Sequence, residues 1–294
     1  MSKETEYQTV IRIESLVREV TDLVSFPEVY LRLSELLEQP TATTRDIGIL
    51  IAQDPSLSLR VLKLANSPLY GLTRQVETVE YAVTVLGKRQ IVEIVLATSV
   101  SKVIAGVPNE VYDMDDFWGH SILCGIVTRG LARECRRTDI DFAFAAGLLH
   151  DIGQLVLFNR FPGQSRVALE LAMDREVPVP LHIAERKVFG FDHAMLGGRL
   201  LGQWGLPERL RECVEFHHEP ELAAQFSVEV ALIHIANSVT NAEGTALDLD
   251  AAIERIDRIC WSRTGLTPEQ IAPILDAAKN SVDAIRALFA DKSP

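Results

Sequence analysis

Apolar side chains recur at three- and four-residue steps through almost the whole chain, and this periodicity constrains the fold more than any other feature. It is visible in FPEVYLRLSELLEQ, SLSLRVLKLAN and QIVEIVLATSVSKVI, and again in HSILCGIVTRGLAREC and VEVALIHIANSV. Such spacing places the apolar residues on one face of an α-helix. No stretch shows several convincing alternating strands, so the sequence predicts an all-α protein.

The segment GVPNEVYDMDDF, residues 106–117, is the best candidate boundary between two helical lobes. It is acidic, contains Pro, Gly and Asn, and interrupts the apolar period. It separates an N-terminal lobe over 1–105 from a C-terminal lobe over 118–245, which a helical extension follows over 246–294. Because both lobes are rich in apolar residues, we expect them to pack together.

Composition narrows the classes of function. The 41 acidic residues outnumber the 29 basic ones, for a net charge of −12, which disfavours binding to nucleic acid or anionic membranes. The N-terminus is polar and lacks a signal-peptide core, and the most apolar windows are about half as long as a membrane span. The four cysteines form no CxxC pair, which is typical of reduced structural thiols in a cytoplasmic protein.

Polar residues with metal-binding chemistry concentrate in the C-terminal lobe, where all seven histidines follow residue 118. His150 and Asp151 are adjacent within the apolar run AAGLLHDIGQLVL, where buried polar groups need partners. Helices that each contribute one or two such side chains can build a metal site in a bundle. The candidate ligands are His120, His150, Asp151, His193, His217 and His218. A set rich in imidazole favours Mn, Fe or Zn, and a bound ion activates water for phosphoester hydrolysis.

Each histidine of this lobe, and Asp151, also has a simpler interpretation as a hydrogen-bonded core or surface side chain. That interpretation is favoured for His182 and His234, whereas His193 and His218 are open to either. His120 and the His150–Asp151 pair are better explained by one shared polar site, with or without a metal ion.

The motif DPSLSLRVLKLANS in the N-terminal lobe has two interpretations. Asp54 and Pro55 are typical of a helix start, because the Asp side chain accepts hydrogen bonds from first-turn N–H groups. Asn66 and Ser67 are suited to ending the same helix before Pro68. The alternative is that this motif forms part of an interaction surface.

Several of these segments resemble the HDOD family, the HD-related output domain of bacterial signalling. The resemblance lies in QDPSLSLRVLKLANSPLYG, VETVEYAVTVLGKRQIVEIVLATSV, FWGHS, FAAGLLHDIGQLVL, ERKVFGFDHAMLGGRLLGQWGLP, VEFHH and VALIHIAN. It covers roughly residues 24–240 in the family's order. It implies an N-terminal helical bundle packed on an HD-like helical lobe, related to HD and HD-GYP phosphohydrolases.

The resemblance also implies roles for single residues. His120 matches the first histidine of active HD enzymes, and His150 with Asp151 matches their HD pair. Asn237 stands where those enzymes have a closing aspartate, and Gln154 stands where HD-GYP enzymes have a lysine that contacts substrate phosphate. The GYP motif is absent, whereas His217 and His218 resemble paired histidine ligands of those enzymes.

Two functions remain open at this point. The first is a non-catalytic regulatory module that acts through protein partners in a bacterial signalling pathway, under the control of a ligand such as a nucleotide. The second is a metal-dependent phosphohydrolase or phosphodiesterase acting on a nucleotide or cyclic dinucleotide. A DNA-binding regulator is disfavoured by the acidic balance and the lack of a basic recognition helix.

Overall fold

The computed structural model describes residues 13–21, 27–105, 111–136, 141–174, 177, 179–243 and 248–290, with backbone alone at 100–105 and 287–290. All secondary structure in these ranges is helical, which confirms the predicted all-α class. The predicted polar N-terminus and residues 106–110 of the predicted boundary lie outside the described residues.

Among the described residues, six helices precede the predicted boundary. They are α1 (13–21), α2 (Glu28–Leu37), α3 (Thr44–Ala52), α4 (Pro55–Ala65), α5 (Val79–Leu86) and α6 (Lys88–Ala105).

In the described part of the chain after that boundary, eleven further helices follow, of which the last three belong to the predicted extension. They are α7 (Met114–Cys135), α8 (Ala143–Leu149), α9 (Ile152–Arg160), α10 (Pro162–Ala172), α11 (Leu181–Phe189), α12 (His193–Gln203), α13 (Glu208–Glu215), α14 (Ser227–Glu243), α15 (Leu249–Glu254), α16 (Arg258–Thr264) and α17 (Ile271–Ala290). Short 3-10 turns cover Pro220–Leu222 and Pro268–Gln270.

Local capping explains where the N-terminal helices begin and end. The Asp54 carboxylate accepts the N–H of Leu57 at 3.0 Å with Pro55 at the first helical position, as the sequence predicts for α4. Asn66 ends that helix, and its side chain pairs with both backbone groups of Val76 at 2.7 and 2.8 Å. Ser67 bonds to the carbonyl of Leu64. These contacts give Asp54, Pro55, Asn66 and Ser67 a structural role.

One continuous apolar core runs through both lobes, as expected from their composition. Helix α7 lies at its centre and packs against α8, α14 and α17. The C-terminal helix α17 also reaches α4 and α6 of the N-terminal lobe, so the extension is part of the same body. The four cysteines are buried and free, in agreement with the predicted structural thiols.

At two places the helices pack differently from what the predicted lobe boundaries suggest. Helix α1 places Ile13, Leu16 and Val17 in a second apolar cluster with side chains of α9, α12 and the turn before α12, all in the C-terminal lobe. Residues 114–117 of the predicted boundary form the first turn of α7, capped by Asp113.

A buried glutamate of the N-terminal lobe caps the helix that precedes the HD pair. Glu93 of α6 accepts the N–H groups of Phe144 and Ala145, at 2.8 and 3.1 Å, in the first turn of α8. Its other oxygen lies 3.6 Å from the guanidinium of Arg129 on α7. Because first-turn N–H groups lack intrahelical partners, this side-chain oxygen stabilises the start of α8.

The apolar run around His150 and Asp151 is two helices rather than one. Helix α8 ends at Leu149 and α9 begins at Ile152, with Asp151 at φ −97° and ψ 12° between them. This backbone region is sparsely populated and is common at active sites. The break places both polar side chains at a corner between helices, where they can face the same space.

Candidate metal centre

The six candidate ligands come from four parts of the C-terminal lobe and meet around the carboxylate of Asp151. His120 lies on α7, His193 is the first residue of α12, and His217 and His218 follow α13. Asp151 is only 6% exposed and His150, His193 and His217 are buried at 1% or less. Residues far apart in sequence therefore share one enclosed polar site.

The two oxygens of Asp151 divide the site into two halves. Oδ2 lies 3.1 Å from Nε2 of His150 and 3.5 Å from Nε2 of His120. Oδ1 lies 3.1 Å from Nε2 of His193 and 3.6 Å from Nε2 of His217. Two groups of possible metal ligands thus share one carboxylate. Within each group, all ligand atoms lie within 4.8 Å of one another.

Hydrogen bonds at Nδ1, the ring nitrogen that points away from Asp151, fix the orientation of three of these imidazoles. Nδ1 of His150 lies 2.7 Å from the carbonyl of Gly147, and Nδ1 of His217 lies 2.8 Å from that of Val214. Nδ1 of His193 lies 2.5 Å from Oε2 of Glu185. Because a carbonyl only accepts, Nδ1 of each of the first two rings carries a proton, and Nε2 is the nitrogen that each ring directs towards Asp151.

The donor set fits a divalent cation. Nε2 of His217 is buried without a hydrogen-bond partner and lies 3.6 Å from Oδ1 of Asp151. Two Nε2 atoms, of His120 and His150, face each other at 3.3 Å. A buried lone pair without a partner, such as that of His217, is unfavourable, and a cation between these nitrogens and the carboxylate would satisfy it. Nitrogen and carboxylate ligands backed by outer hydrogen bonds are the pattern by which proteins hold Mn, Fe or Zn.

The pKa values divide the histidines of the site into two sets. Burial favours the neutral forms of its histidines, but the carboxylates of Glu185 and Asp151 overcome it and raise the pKa of His193 to about 10. Asp151 likewise raises the pKa of His150. Burial dominates at His120, lowering its pKa to about 4, and it holds the pKa of His217 well below the usual range. Protons therefore do not supply the missing partner of His217.

Glycines let the ligand-bearing helices approach closely. A Cβ at Gly147 of α8 would lie 2.7 Å from Cα of Gly125 of α7, the helix of His120. A Cβ at Gly153 of α9 would lie 2.0 Å from the carbonyl oxygen of His193. The distances between ligands thus depend on backbone contacts that only glycine permits.

A cleft of about 440 Å³ opens onto His120 and Asp151. Gln154 lines it, at the position where the resemblance implied a lysine in active relatives. Asn237, at the position of their closing aspartate, hydrogen-bonds His120 and accepts the side-chain N–H of Asn241 at 2.8 Å. It therefore lies at the site but adds no negative charge.

Sequence reasoning missed Glu185 and the position of His182. Glu185 lies on α11 and is only 1% exposed. Its Oε2 accepts hydrogen bonds from the backbone N–H and from the Nδ1–H of His193. The signal was a single acidic residue on the face of α11 that also carries buried Ala184. His182, interpreted as structural, stacks on His218 at 4.1 Å between ring centroids. His234 bonds to the carbonyl of His217 and supports the site from outside.

A helical protein in which histidines from several helices surround an HD-pair aspartate belongs to the HD-like class. The model of the family described as HDOD domain matches residues 23–220, more than half of the chain. The chain therefore belongs to the HDOD family, which confirms the resemblance in its sequence.

Solved structures share this fold over nearly the whole chain. An HDOD domain protein with unknown function from Geobacter sulfurreducens is 22% identical, with a TM-score of 0.76 over 96% of this chain and 98% of that one. A protein from Shewanella amazonensis SB2B, provisionally named a phosphohydrolase, is 25% identical, with a TM-score of 0.74 over 94% and 98%. A protein from Marinobacter aquaeolei VT8, provisionally named a signal transduction protein, is 20% identical, with a TM-score of 0.75 over 96% and 66%.

A curated relative from Treponema pallidum (strain Nichols), of uncharacterised function, is 25% identical over 269 residues. The chain spans about half the length of that relative: the match covers 91% of this chain and 51% of the other. Within the described residues, no helix combines the length and apolar character that crossing a bilayer requires.

Proposed function

We propose that this chain is a regulatory signal-transduction protein of the bacterial cytoplasm, which interacts with a protein partner under the control of a ligand. A divalent-metal centre serves this interaction. Its ligands are His120, His150, Asp151, His193, His217 and His218. The metal is Mn, Fe or Zn, because the donors are mainly imidazole nitrogens. When bound, the ion supplies positive charge for an anionic ligand such as a nucleotide. The protein's own residues hold the ligands in place through Glu185 and the carbonyls of Gly147 and Val214.

The observation that carries the non-catalytic assignment is the state of Asn237. Its Oδ1 accepts a hydrogen bond from Asn241 and its side chain bonds to His120, so it contributes a neutral amide. Among the described residues, the half of the site formed by His120 and His150 has Asp151 as its one carboxylate. Fewer anionic ligands weaken the hold on a divalent ion, and neutral Gln154 in the cleft offers no charge to a substrate phosphate.

A metal-dependent phosphohydrolase acting on a nucleotide or cyclic dinucleotide is the second candidate. The cleft favours it, because the cleft opens directly onto His120 and Asp151 and so gives a phosphoester access to the centre.

Metal analysis combined with a turnover assay tests both candidates. The protein is purified without chelator or His-tag, its metal content is measured, and a panel of nucleotides and cyclic dinucleotides is assayed for hydrolysis. We expect bound Mn, Fe or Zn that is lost in His150→Ala, and no turnover above that of the variant. Turnover that His150→Ala and chelator both abolish would establish the hydrolase instead. Absence of metal from the wild-type protein would refute the centre itself.

A further inference from the structure

The cleft in front of the metal centre carries an unusual charge pattern. Its lining includes the carboxylates of Asp116, Asp151 and Glu243, and Arg286 is the one lysine or arginine among the lining residues that the structure describes. Glu243 is paired with Lys279 at 2.7 Å, and Asp151 faces the histidines. Among the described side chains of the cleft, Arg286 is therefore the cation that can attract an anion.

Arg286 comes from α17, beyond the residues matched by the family model, and is held firmly against α7. The adjacent Ile285 is fully buried in the core. The Arg286 guanidinium donates to the carbonyl of Asp115, and its central carbon lies 3.4 Å from the point where Gly119 would carry a Cβ. Gly119 immediately precedes His120, so the missing side chain brings the guanidinium close to a metal-ligand position.

An aromatic pair lines the same cleft. The rings of Tyr112 and Phe158 are stacked with centroids 5.9 Å apart and an angle of 22°. Phe158 is buried, whereas Tyr112 lines the cleft and is 39% exposed. Bases stack on exposed aromatic rings, and the planar fork of arginine suits phosphate.

We infer that this cleft binds a nucleoside phosphate, with the phosphate held between Arg286 and the metal centre and the base stacked on Tyr112. The inference rests on the metal centre of the proposed function and specifies its ligand. It assigns the C-terminal helix a direct part in ligand recognition, through a guanidinium that replaces the cation missing at Gln154.

Paired ligands test the two contacts separately. AMP and ribose 5-phosphate share sugar and phosphate and differ in the base. Each is titrated by calorimetry into full-length protein whose metal content has been measured, and released phosphate is measured in the same samples. We expect Arg286→Gln to weaken both ligands by about tenfold or more, since it removes charge-assisted hydrogen bonds. Arg286→Lys should lose less, because it keeps the charge.

Tyr112→Ala should weaken AMP by about tenfold while leaving ribose 5-phosphate unchanged. Arg199→Gln is the control for net charge, since Arg199 is 52% exposed on α12 and lies outside the cleft lining. Thermal unfolding of each variant separates lost binding from lost folding.

Two results would overturn the inference while leaving the metal centre intact. One is metal-loaded protein that binds neither ligand. The other is Arg286→Gln or Tyr112→Ala protein that melts like the wild type and binds both ligands like Arg199→Gln. Protein that holds no metal would instead remove the proposed function and this inference together.

Discussion

Replacing Gly153 with alanine tests whether helix contacts set the geometry of the metal centre. The new Cβ would lie 2.0 Å from the carbonyl oxygen of His193 and 2.9 Å from the backbone nitrogen of Gly197. Ordinary contacts begin near 3.4 Å, so α9 and α12 must separate by about 1 Å or more. Both near atoms are backbone atoms, so no side chain can rotate away to relieve the contact.

Two effects follow from this separation. Overpacking of a tight core destabilises by about 1–3 kcal/mol, which lowers the melting temperature by about 2–4 °C per kcal/mol in a protein of this size. The separation also moves His193 away from Asp151, from which its Nε2 lies 3.1 Å. Metal sites tolerate deviations of about 0.2 Å, so we expect the affinity for Zn or Mn to fall by about tenfold or more.

Gly163→Ala is the matched control. Gly163 lies in α10, is exposed, and has no atom within 4 Å of the added Cβ. Its replacement should leave metal affinity unchanged and leave stability unchanged or raise it by less than about 1 kcal/mol. Calorimetric melting and competition with a chromophoric chelator measure the two quantities. Gly153→Ala protein that matches the wild type in both would refute the reasoning.

Three further predictions concern charge and capping. Burial raises the pKa of Glu93 from 4.5 to about 8, so between these pH values the folded state holds a proton that the unfolded state has lost. The free energy of unfolding of the wild type, relative to that of Glu93→Gln, should therefore fall as pH rises from about 4.5 to about 8. Equal pH profiles of the two proteins in urea unfolding would contradict this. Metal binding should displace the protons of His193 and His150, whose pKa values are raised. Calorimetry at pH 7 in buffers of different ionisation enthalpy should therefore detect release of at least about one proton. A metal affinity that does not rise with pH would speak against these two ligands. Asp54→Ala should lower stability by about 1 kcal/mol in urea unfolding without changing metal content, whereas an unchanged stability would remove the capping role.

The helices and most of the candidate ligands follow from local sequence. Periodicity predicts the all-α class, and the Asp54–Pro55 start and Asn66–Ser67 end of α4 follow from capping chemistry. His150 and Asp151 attract attention because polar groups in an apolar run need partners. The break between α8 and α9 was not foreseen, since periodicity is similar in two short helices and in one long helix.

The residues that sequence reasoning missed depend on tertiary approach. Glu185 is a lone acidic residue on α11, and its contact with His193 exists because α11 and α12 fold back at Gly190. Arg286 reaches the cleft because α17 packs along α7, far from it in sequence. No local pattern reports which distant helices will touch, so these partners appear only when the packing is known.

The short helix α8 has a mechanical consequence. Its N-terminal N–H groups are fixed to Glu93 in one lobe, and its other end leads directly into His150 and Asp151 in the other. A helix of seven residues is only about 10 Å long and acts as a rigid strut. The position of Asp151 is therefore tied to α6 of the N-terminal bundle through one short rigid element.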